Sequence, residues 1–266
     1  MPTVNETQSG PPRAGAAAQD ARRTAGMLRL RGPDAARFLQ GQLSNDMQRL
    51  DAQRLLLAGL HNPQGRVLAL LRLLALEPGH IVALLPAELA AATLATLGRY
   101  VLRAKVTISN ESTPEALSAL AAQSPAVAQR LASAHGEDIA AGLPEVYAAT
   151  SGEFVAQMLN LDCLEAISFN KGCYTGQEII ARTHYRGRMK RRMQRFVTAG
   201  PAMLTPGLTV TLSDGRSAQI VDAVVLADGR SEFLAVAPLA GEAADAAPGR
   251  APLECAPLPM AYALPA

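Results

Sequence analysis

A short polar segment between two apolar runs restricts the fold of this chain more than any other feature. Residues 55–60 and 67–76 are almost entirely apolar, and the sequence Asn-Pro-Gln-Gly separates them at positions 62–65. Asn in the first position, Pro in the second and Gly in the fourth suit a type I turn. The chain is therefore predicted to reverse direction here and to form a β-hairpin.

The elements that follow this hairpin predict an α+β layer. Residues 81–85 predict a third strand, residues 86–97 a helix, and residues 105–109 a further strand. The order β-β-β-α-β favours an antiparallel sheet with helices on one face. Residues 114–135 are rich in Ala and interrupted by a Ser-Pro pair, which predicts two packing helices without a chemical role.

Changes in composition divide the 266-residue chain into three parts. Residues 1–25 lack periodicity and are typical of a disordered tail. Residues 26–195 are expected to form the α+β region, as two interleaved subdomains. Short strands with Asp-Gly turns predict a small C-terminal β-barrel over residues 196–266, with a loose loop at 241–253. The fold expected is α+β, with antiparallel sheets packed by helices.

The overall composition excludes several classes of protein. The hydrophobic content of 49% is that of a globular chain with a sizeable core. No apolar run reaches the ~20 residues of a membrane span, and the N-terminus carries no hydrophobic signal core. Three widely spaced cysteines give neither metal-ligand spacing nor a disulfide framework. We expect a cytoplasmic monomer that does not bind a membrane.

The strongest candidate for chemistry is Cys173, which is flanked closely by two glycines. Thr175 and Glu178 have the spacing of a capping box, which predicts a helix from about Gly176 with Thr175 as its N-cap. Cys173 would then precede a helix N-terminus and lie near Lys171, and both features favour an ionised thiol. A buried cysteine that only fills space is the alternative interpretation.

The string around this cysteine resembles the signature of the YgfZ family. It reads Lys-Gly-Cys-Tyr-Thr-Gly-Gln-Glu over residues 171–178 and continues with Ala-Arg at 181–182. Weaker resemblances to the same family occur at residues 38–46 and 62–67. Together these segments span most of the chain, and the motif at residues 171–182 is long and specific.

This resemblance implies a folate-binding protein related to the T-protein, the aminomethyltransferase of the glycine cleavage system. The family is implicated in the assembly or repair of iron–sulfur enzymes, including enzymes that modify tRNA. The cofactor expected is tetrahydrofolate or a derivative, in a central cavity between the α+β layers and the barrel, with the thiolate of Cys173 facing that cavity. The partners expected are this folate and iron–sulfur client enzymes.

One position separates the chain from the T-protein. T-protein relatives carry an aspartate beside the folate, shortly after the turn that corresponds to residues 62–65. When Gly65 is aligned with the glycine of that turn, Ala69 or Leu70 occupies the position of the aspartate. Neither side chain can carry a charge. The resemblance therefore implies an accessory folate-binding factor, and a folate-dependent aminomethyl- or demethyl-transferring enzyme is the alternative.

The candidate site combines the cysteine with a set of polar and aromatic neighbours. Cys173 is the catalytic candidate. Contacts with the folate are assigned to seven residues, which are Asn45, Asp46, Lys171, Tyr174, Gln177, Glu178 and Arg182. Asp46 either caps a turn or contacts the ligand, and Glu178 has the same two alternatives. Tyr174 either stacks on a planar ring or packs in the core.

A basic stretch follows the motif between residues 182 and 195. It contains no acid and seven cations, which are Arg182, Arg186, Arg188, Lys190, Arg191, Arg192 and Arg195. Such a stretch can form a solvated face paired with acids elsewhere. It also suits the carboxylates of a folate tail or the phosphates of RNA. We favour the folate tail or a protein partner, and place RNA second because few aromatic residues interleave the cations.

Overall fold

A computed structural model describes residues 24–239, 242 and 251–265. All but the last two residues of the tail at 1–25, and much of the loop predicted at 241–253, lie outside the described residues. In the part that is described, none of the helices is long and apolar enough to cross a membrane.

The first half of the chain builds a five-stranded antiparallel sheet. Its strands are β1 (Ala25–Arg31), β2 (Leu56–His61), β3 (Val67–Glu77), β4 (His80–Pro86) and β5 (Thr107–Asn110). The order across the sheet is β2-β3-β4-β1-β5. The hairpin predicted around residues 62–65 is present as β2 and β3, and Gly65 closes its turn with a φ of 73°. Strand β1, which lies between β4 and β5, has no counterpart among the sequence predictions.

Helices cover both faces of this sheet, so the prediction of helices on one face is wrong. The α-helices of the described residues are α1 (Ala35–Gln40), α2 (Ala87–Gly98), α3 (Pro114–Gln123), α4 (Pro125–Ala132), α5 (His135–Ala140) and α6 (Gln177–Arg186). The first four of them pack on this sheet. In β4, Val82 and Leu84 pack with α3 and α4, whereas Ala83 and Leu85 belong to the main core with α1 and α2. Successive strand residues point to opposite faces, so one apolar strand fills two layers.

A second five-stranded sheet follows α6. Its strands are β6 (Arg191–Thr198), β7 (Thr209–Thr211), β8 (Ser217–Val225), β9 (Ser231–Pro238) and β10 (Cys255–Leu258), in the order β10-β6-β9-β8-β7. The amide of Leu253, just before β10, donates to the carbonyl of Thr211 at 2.7 Å, so the two edges touch. Closure into a barrel and the domain boundary after residue 195 stay predictions, and β6 crosses that boundary.

The two sheets share the main hydrophobic core. Met193, Val221 and Leu234 of the second sheet pack in the same cluster as the apolar faces of β3 and β4. This architecture confirms the predicted α+β fold of antiparallel sheets packed by helices. It also brings the region after α4 close to the second sheet, because α5 packs on β8 and β9.

Candidate functional site

The helix that follows the cysteine motif begins one residue later than the capping box predicts. Gly176 is the N-cap of α6, in the left-handed region at φ 82°, and no side chain caps the helix. Thr175 is therefore not the N-cap, and Glu178 is exposed in the first helical turn. A left-handed residue at this point suits glycine because other residues pay a steric cost there. The correction shifts the predicted helix start without moving Cys173 away from it.

Gly176 also packs directly against the hairpin turn. A Cβ atom on Gly176 would lie 2.6 Å from the carbonyl oxygen of Asn62 and 3.0 Å from the Cα of Gly65. A Cβ atom on Gly65 would in turn lie 3.1 Å from the Cβ of Ile179. The hairpin turn and the cysteine motif are far apart in the sequence, and both resemble segments of the same family. In the structure their backbones are in contact.

Lys171 holds the start of the motif to the segment after α1. Its Nζ donates to the carbonyl oxygens of Gln40, Leu43 and Asn45 at 2.7, 2.6 and 2.8 Å. An ammonium group has three hydrogens, so this set uses all of them. Burial lowers the pKa of Lys171 to about 8, and the Asp46 carboxylate opposes this shift. Lys171 therefore has a structural role, because it attaches the loop to the segment after α1.

Asn45 and Asp46 mainly organise the backbone. The side-chain amide of Asn45 is fully buried and donates to the carbonyl oxygens of Leu57 and Glu165 at 2.7 and 2.8 Å. Asp46 accepts from the amide of Gln48 at 3.0 Å and so caps the short 3₁₀ helix Met47–Arg49. Of the two roles left open for Asp46, the structure shows the capping role.

Tyr174 is packed inward beside a buried histidine. Only 7% of Tyr174 is exposed, and its ring lies 6.2 Å from the ring of His61 and 5.0 Å from Nζ of Lys171. Burial raises the pKa of the Tyr174 phenol. In the described part of the chain, neither ring nitrogen of His61 makes a hydrogen bond, and burial lowers the pKa of His61 to about 3. His61 is therefore a neutral core residue at ordinary pH.

Cys173 lies on the surface of this anchored loop. It is the exposed one of the three cysteines, whereas Cys163 and Cys255 are partly buried. Burial and the Asp162 carboxylate raise the pKa of the Cys163 thiol to about 11, so that thiol is a poor nucleophile. The loop thus presents one accessible thiol to solvent.

The remaining candidate residues lie on the first two turns of α6, which follows the loop of Cys173. Gln177 is partly buried, and Glu178 and Arg182 are exposed. The structure therefore divides the eight candidates into two groups. Asn45, Asp46, Lys171 and Tyr174 fix the loop, whereas Cys173, Gln177, Glu178 and Arg182 remain available at its surface.

The cations of the basic stretch also form two groups, one that is paired within the fold and one that is exposed. Arg192 is buried and pairs with both carboxylate oxygens of Asp162 at 2.8 and 3.0 Å, and Arg195 pairs with Glu232 at 2.6 Å. Arg191 donates to backbone carbonyl oxygens in the second sheet. Four cations remain exposed at the surface, which are Arg182, Arg186, Arg188 and Lys190.

A cavity of about 350 Å³ lies between the first sheet and the helices α4 and α5. Its lining combines Leu84 and Leu85 of β4 with Arg72, Arg130 and His135, and the side chain of Leu84 is on the face of the sheet that α3 and α4 cover. This volume and this mixture of apolar walls with a few polar groups are typical of small-molecule sites, which span roughly 300–1,000 Å³.

A network of buried charges borders the cavity. Glu145 accepts from Arg72 at 2.6 Å and from Arg130 at 3.4 Å, and Arg130 also contacts Asp138. Glu145 and Arg72 are only 6% and 8% exposed. Because Glu145 engages both guanidinium groups, it fixes their positions at the cavity wall.

The sequence predictions missed every residue of this network. The one available signal was Arg72, a charge in an otherwise apolar strand, which requires a buried partner. That partner, Glu145, lies 73 positions further along the chain, so local patterns could not identify it. In the residues that the structure describes, no group of His, Cys, Asp and Glu side chains could hold a metal ion.

Comparisons with known proteins agree on a fold and on a family. The chain is 30% identical to the tRNA-modifying protein YgfZ of Serratia proteamaculans, covering 76% of this chain and 79% of that protein. It is 32% identical to an uncharacterized protein of Haemophilus influenzae, covering 64% of this chain and 70% of that protein. The glycine cleavage system aminomethyltransferase T of Bartonella henselae is structurally similar, with a TM-score of 0.61 and 14% identity over 85% of this chain and 82% of that one. No family model matches the chain.

Proposed function

The chain belongs to the YgfZ family, and we propose that it binds a reduced folate and uses Cys173 to support the assembly or repair of iron–sulfur enzymes, including enzymes that modify tRNA. The observation that carries this proposal is the presentation of Cys173. Lys171 and Gly176 anchor the loop on both sides of an exposed thiol. An accessible thiol on a fixed loop is suited to transient contact with a client protein or its cluster.

We assign the folate to the cavity beside Arg72. The described residues that line this cavity include neither Cys173 nor any of the seven residues that were expected to contact the folate. In T-protein relatives the carboxylate beside the folate lies on the strand after the turn, at Ala69 or Leu70 here. Leu70 and Arg72 are two residues apart on β3 and therefore share a face, and Arg72 lines the cavity. The apolar side of the cavity at Leu84 suits a flat pterin ring, and Arg130 and His135 offer polar contacts at its edges.

The chemistry of this chain's own residues follows from these positions. Ala69 and Leu70 are fully buried and apolar, so this strand supplies no carboxylate to a bound folate. Glu145 is occupied by two arginines and orients them instead of moving a proton. The bound folate would supply a one-carbon carrier or reductant. The protein would bind it, exclude water from it and keep the thiol of Cys173 outside the cavity.

Two measurements test this function. Calorimetric titration with tetrahydrofolate should show saturable binding by the wild-type protein and by Cys173→Ala. In a strain that lacks its own copy of the gene, wild type and Cys255→Ala should restore the activity of an iron–sulfur tRNA-modifying enzyme, and Cys173→Ala should not. Full rescue by Cys173→Ala would remove the role of the thiol, and absence of binding would remove the folate.

RNA binding is the second candidate, supported by the exposed cations of α6 and by the exposed ring of Tyr185. Tyr185 is 67% exposed beside Arg182 and Arg186. An aromatic ring among cations can stack on a base while the cations contact phosphates. A mobility shift with tRNA that weakens steeply with salt would favour this function, and no shift at low salt would eliminate it.

A further inference from the structure

The proposed function gives His135 a polar contact with the folate, and the pairing of His135 with a buried aspartate gives this residue a more specific role. Nε2 of His135 lies 2.9 Å from Oδ1 of Asp222, which comes from β8 of the second sheet. The hydroxyl of Tyr147 donates to both carboxylate oxygens of Asp222 at 3.3 and 3.2 Å. Asp222 is 2% exposed and the side chain of His135 is 10% exposed. Three segments of the chain thus converge on one buried carboxylate.

This arrangement fixes the hydrogen-bonding character of the imidazole ring. An ionised carboxylate can only accept hydrogen bonds, so Nε2 of His135 must carry the proton that it shares with Asp222. In a neutral imidazole the other nitrogen, Nδ1, is then an acceptor. Asp222 is held in place by Tyr147 and by the backbone amide of Ala223 at 2.9 Å, so the tautomer is maintained by the fold.

The other charged groups around the cavity cannot supply this acceptor. Arg72 and Arg130 are donors only, and the Glu145 carboxylate is occupied by both of them. In the part of the chain that is described, Nδ1 of His135 makes no hydrogen bond of its own, and His135 lines the cavity. A neutral His135 therefore offers Nδ1 to a ligand as an acceptor, beside the hydroxyl groups of Ser133 and Tyr147 in the described lining of the cavity.

We propose that His135, positioned by Asp222, makes the cavity select the tetrahydro form of the pterin over the fully oxidised form. This inference rests on the proposed binding of folate in the cavity. In tetrahydrofolate the pyrazine-ring nitrogens N5 and N8 carry hydrogens, whereas in folic acid they are bare acceptors. Nδ1 accepts a hydrogen bond from the reduced ring, but against the oxidised ring two acceptors face each other without a proton between them.

Paired titrations with tetrahydrofolate and with folic acid test this role. Wild type should prefer tetrahydrofolate by about tenfold or more, since a buried acceptor without a partner costs roughly 1–3 kcal/mol. In His135→Gln an amide can donate or accept, so the preference should fall to within about threefold. The matched control His80→Gln, at the β3–β4 turn and outside the cavity lining, should keep the wild-type preference.

The outcomes separate the two proposals. Failure of the wild type to bind either compound overturns the proposed function together with this ligand assignment. Equal binding of both compounds by the wild type, or an unchanged preference in His135→Gln, overturns the role of His135 alone. If His135→Gln does not fold, ¹⁵N NMR of the wild-type imidazole replaces it. A proton on Nε2 supports the inference, and a proton on Nδ1 overturns it.

Discussion

The loop around Cys173 and the cavity beside Arg72 are built in opposite ways. The loop concentrates its special residues within eight consecutive positions, and two of them, Lys171 and Gly176, bind the backbone of neighbouring segments. The cavity takes its charged groups from positions dispersed along the chain, among them Arg72, Glu145 and Asp222.

This difference shows what a dense sequence motif encodes. In the loop most of the motif residues are used to fix one conformation, so that a single thiol is displayed. In the cavity the groups that can recognise a ligand come from a sheet, two helices and a second sheet, and each one looks ordinary in the sequence. The loop can therefore be recognised by its dense sequence motif, whereas the cavity can be recognised only by charged residues that pair across long distances in the sequence.

The cavity should be the more fragile of the two regions when one charge is removed. Glu145→Ala removes the carboxylate that pairs with the buried Arg72, whereas the partly buried Arg130 keeps Asp138, and we expect a loss of about 3–5 kcal/mol in the free energy of unfolding. Urea unfolding followed by circular dichroism measures it. The exposed control Glu153→Ala should change stability by less than about 0.5 kcal/mol. Equal effects of the two variants would mean that the network contributes nothing.

Backbone strain should reveal how tightly the loop is fixed. Gly176→Ala places a Cβ in the left-handed region and 2.6 Å from a carbonyl oxygen, so we expect a loss of about 1–3 kcal/mol. Gly172→Ala is the matched control in the same motif, because nothing lies within 4 Å of its Cβ. Thermal unfolding of both variants measures the difference. A Gly172 variant as unstable as the Gly176 variant would show that the packing against the turn is not the cause.

His61 should make the core beneath the loop sensitive to acid. Burial lowers its pKa from 6.5 to about 3, so between these values the unfolded chain binds a proton that the folded chain does not. Stability should therefore fall as the pH decreases through this range, by up to about 1.4 kcal/mol per pH unit. Urea unfolding at pH 7, 5.5 and 4.5 should show a shallower loss in His61→Leu than in wild type. Parallel pH profiles would contradict the neutral buried state of His61.

The smallest effect on stability, and the clearest chemical contrast, is expected at the cysteines. Cys173 is exposed, whereas Cys163 is partly buried with its pKa raised to about 11. At pH 8 iodoacetamide should label Cys173 at least about tenfold faster than Cys163, because the thiolate reacts. Peptide mass spectrometry measures both rates. Cys173→Ala should change stability by less than about 0.5 kcal/mol. Faster labelling of Cys163 would contradict the display of Cys173 by the loop.

Sequence reasoning succeeded where the determinants are local. The turn at residues 62–65 and the break between α3 and α4 both follow from Asn, Ser, Pro and Gly at fixed offsets. Ser124, for example, ends α3 and caps α4 through its hydroxyl. These elements depend on a few neighbouring residues, so their positions can be read from the chain directly.

It failed where distant pairing decides the structure. Strand β1 follows an Ala-rich tail, yet it is an interior strand of the first sheet because β4 and β5 pair with its two edges. Strand β6 contains three of the cations assigned to a basic surface, but Asp162 and Glu232 neutralise Arg192 and Arg195. For the candidate site, the sequence identified the displayed cysteine and could not identify the cavity, whose charges pair across tens of residues.

The contact between Gly176 and the turn at residues 62–65 has a consequence for protein engineering. Backbone touches backbone at this point, so the hairpin cannot accept an inserted epitope tag without displacing the cysteine loop. The turn at Asp214 and Gly215 is the opposite case, because a Cβ on Gly215 would meet nothing within 4 Å. A fluorescent reporter grafted there would leave the cysteine loop and the cavity undisturbed, and would provide a labelled protein for tracing client enzymes in living cells.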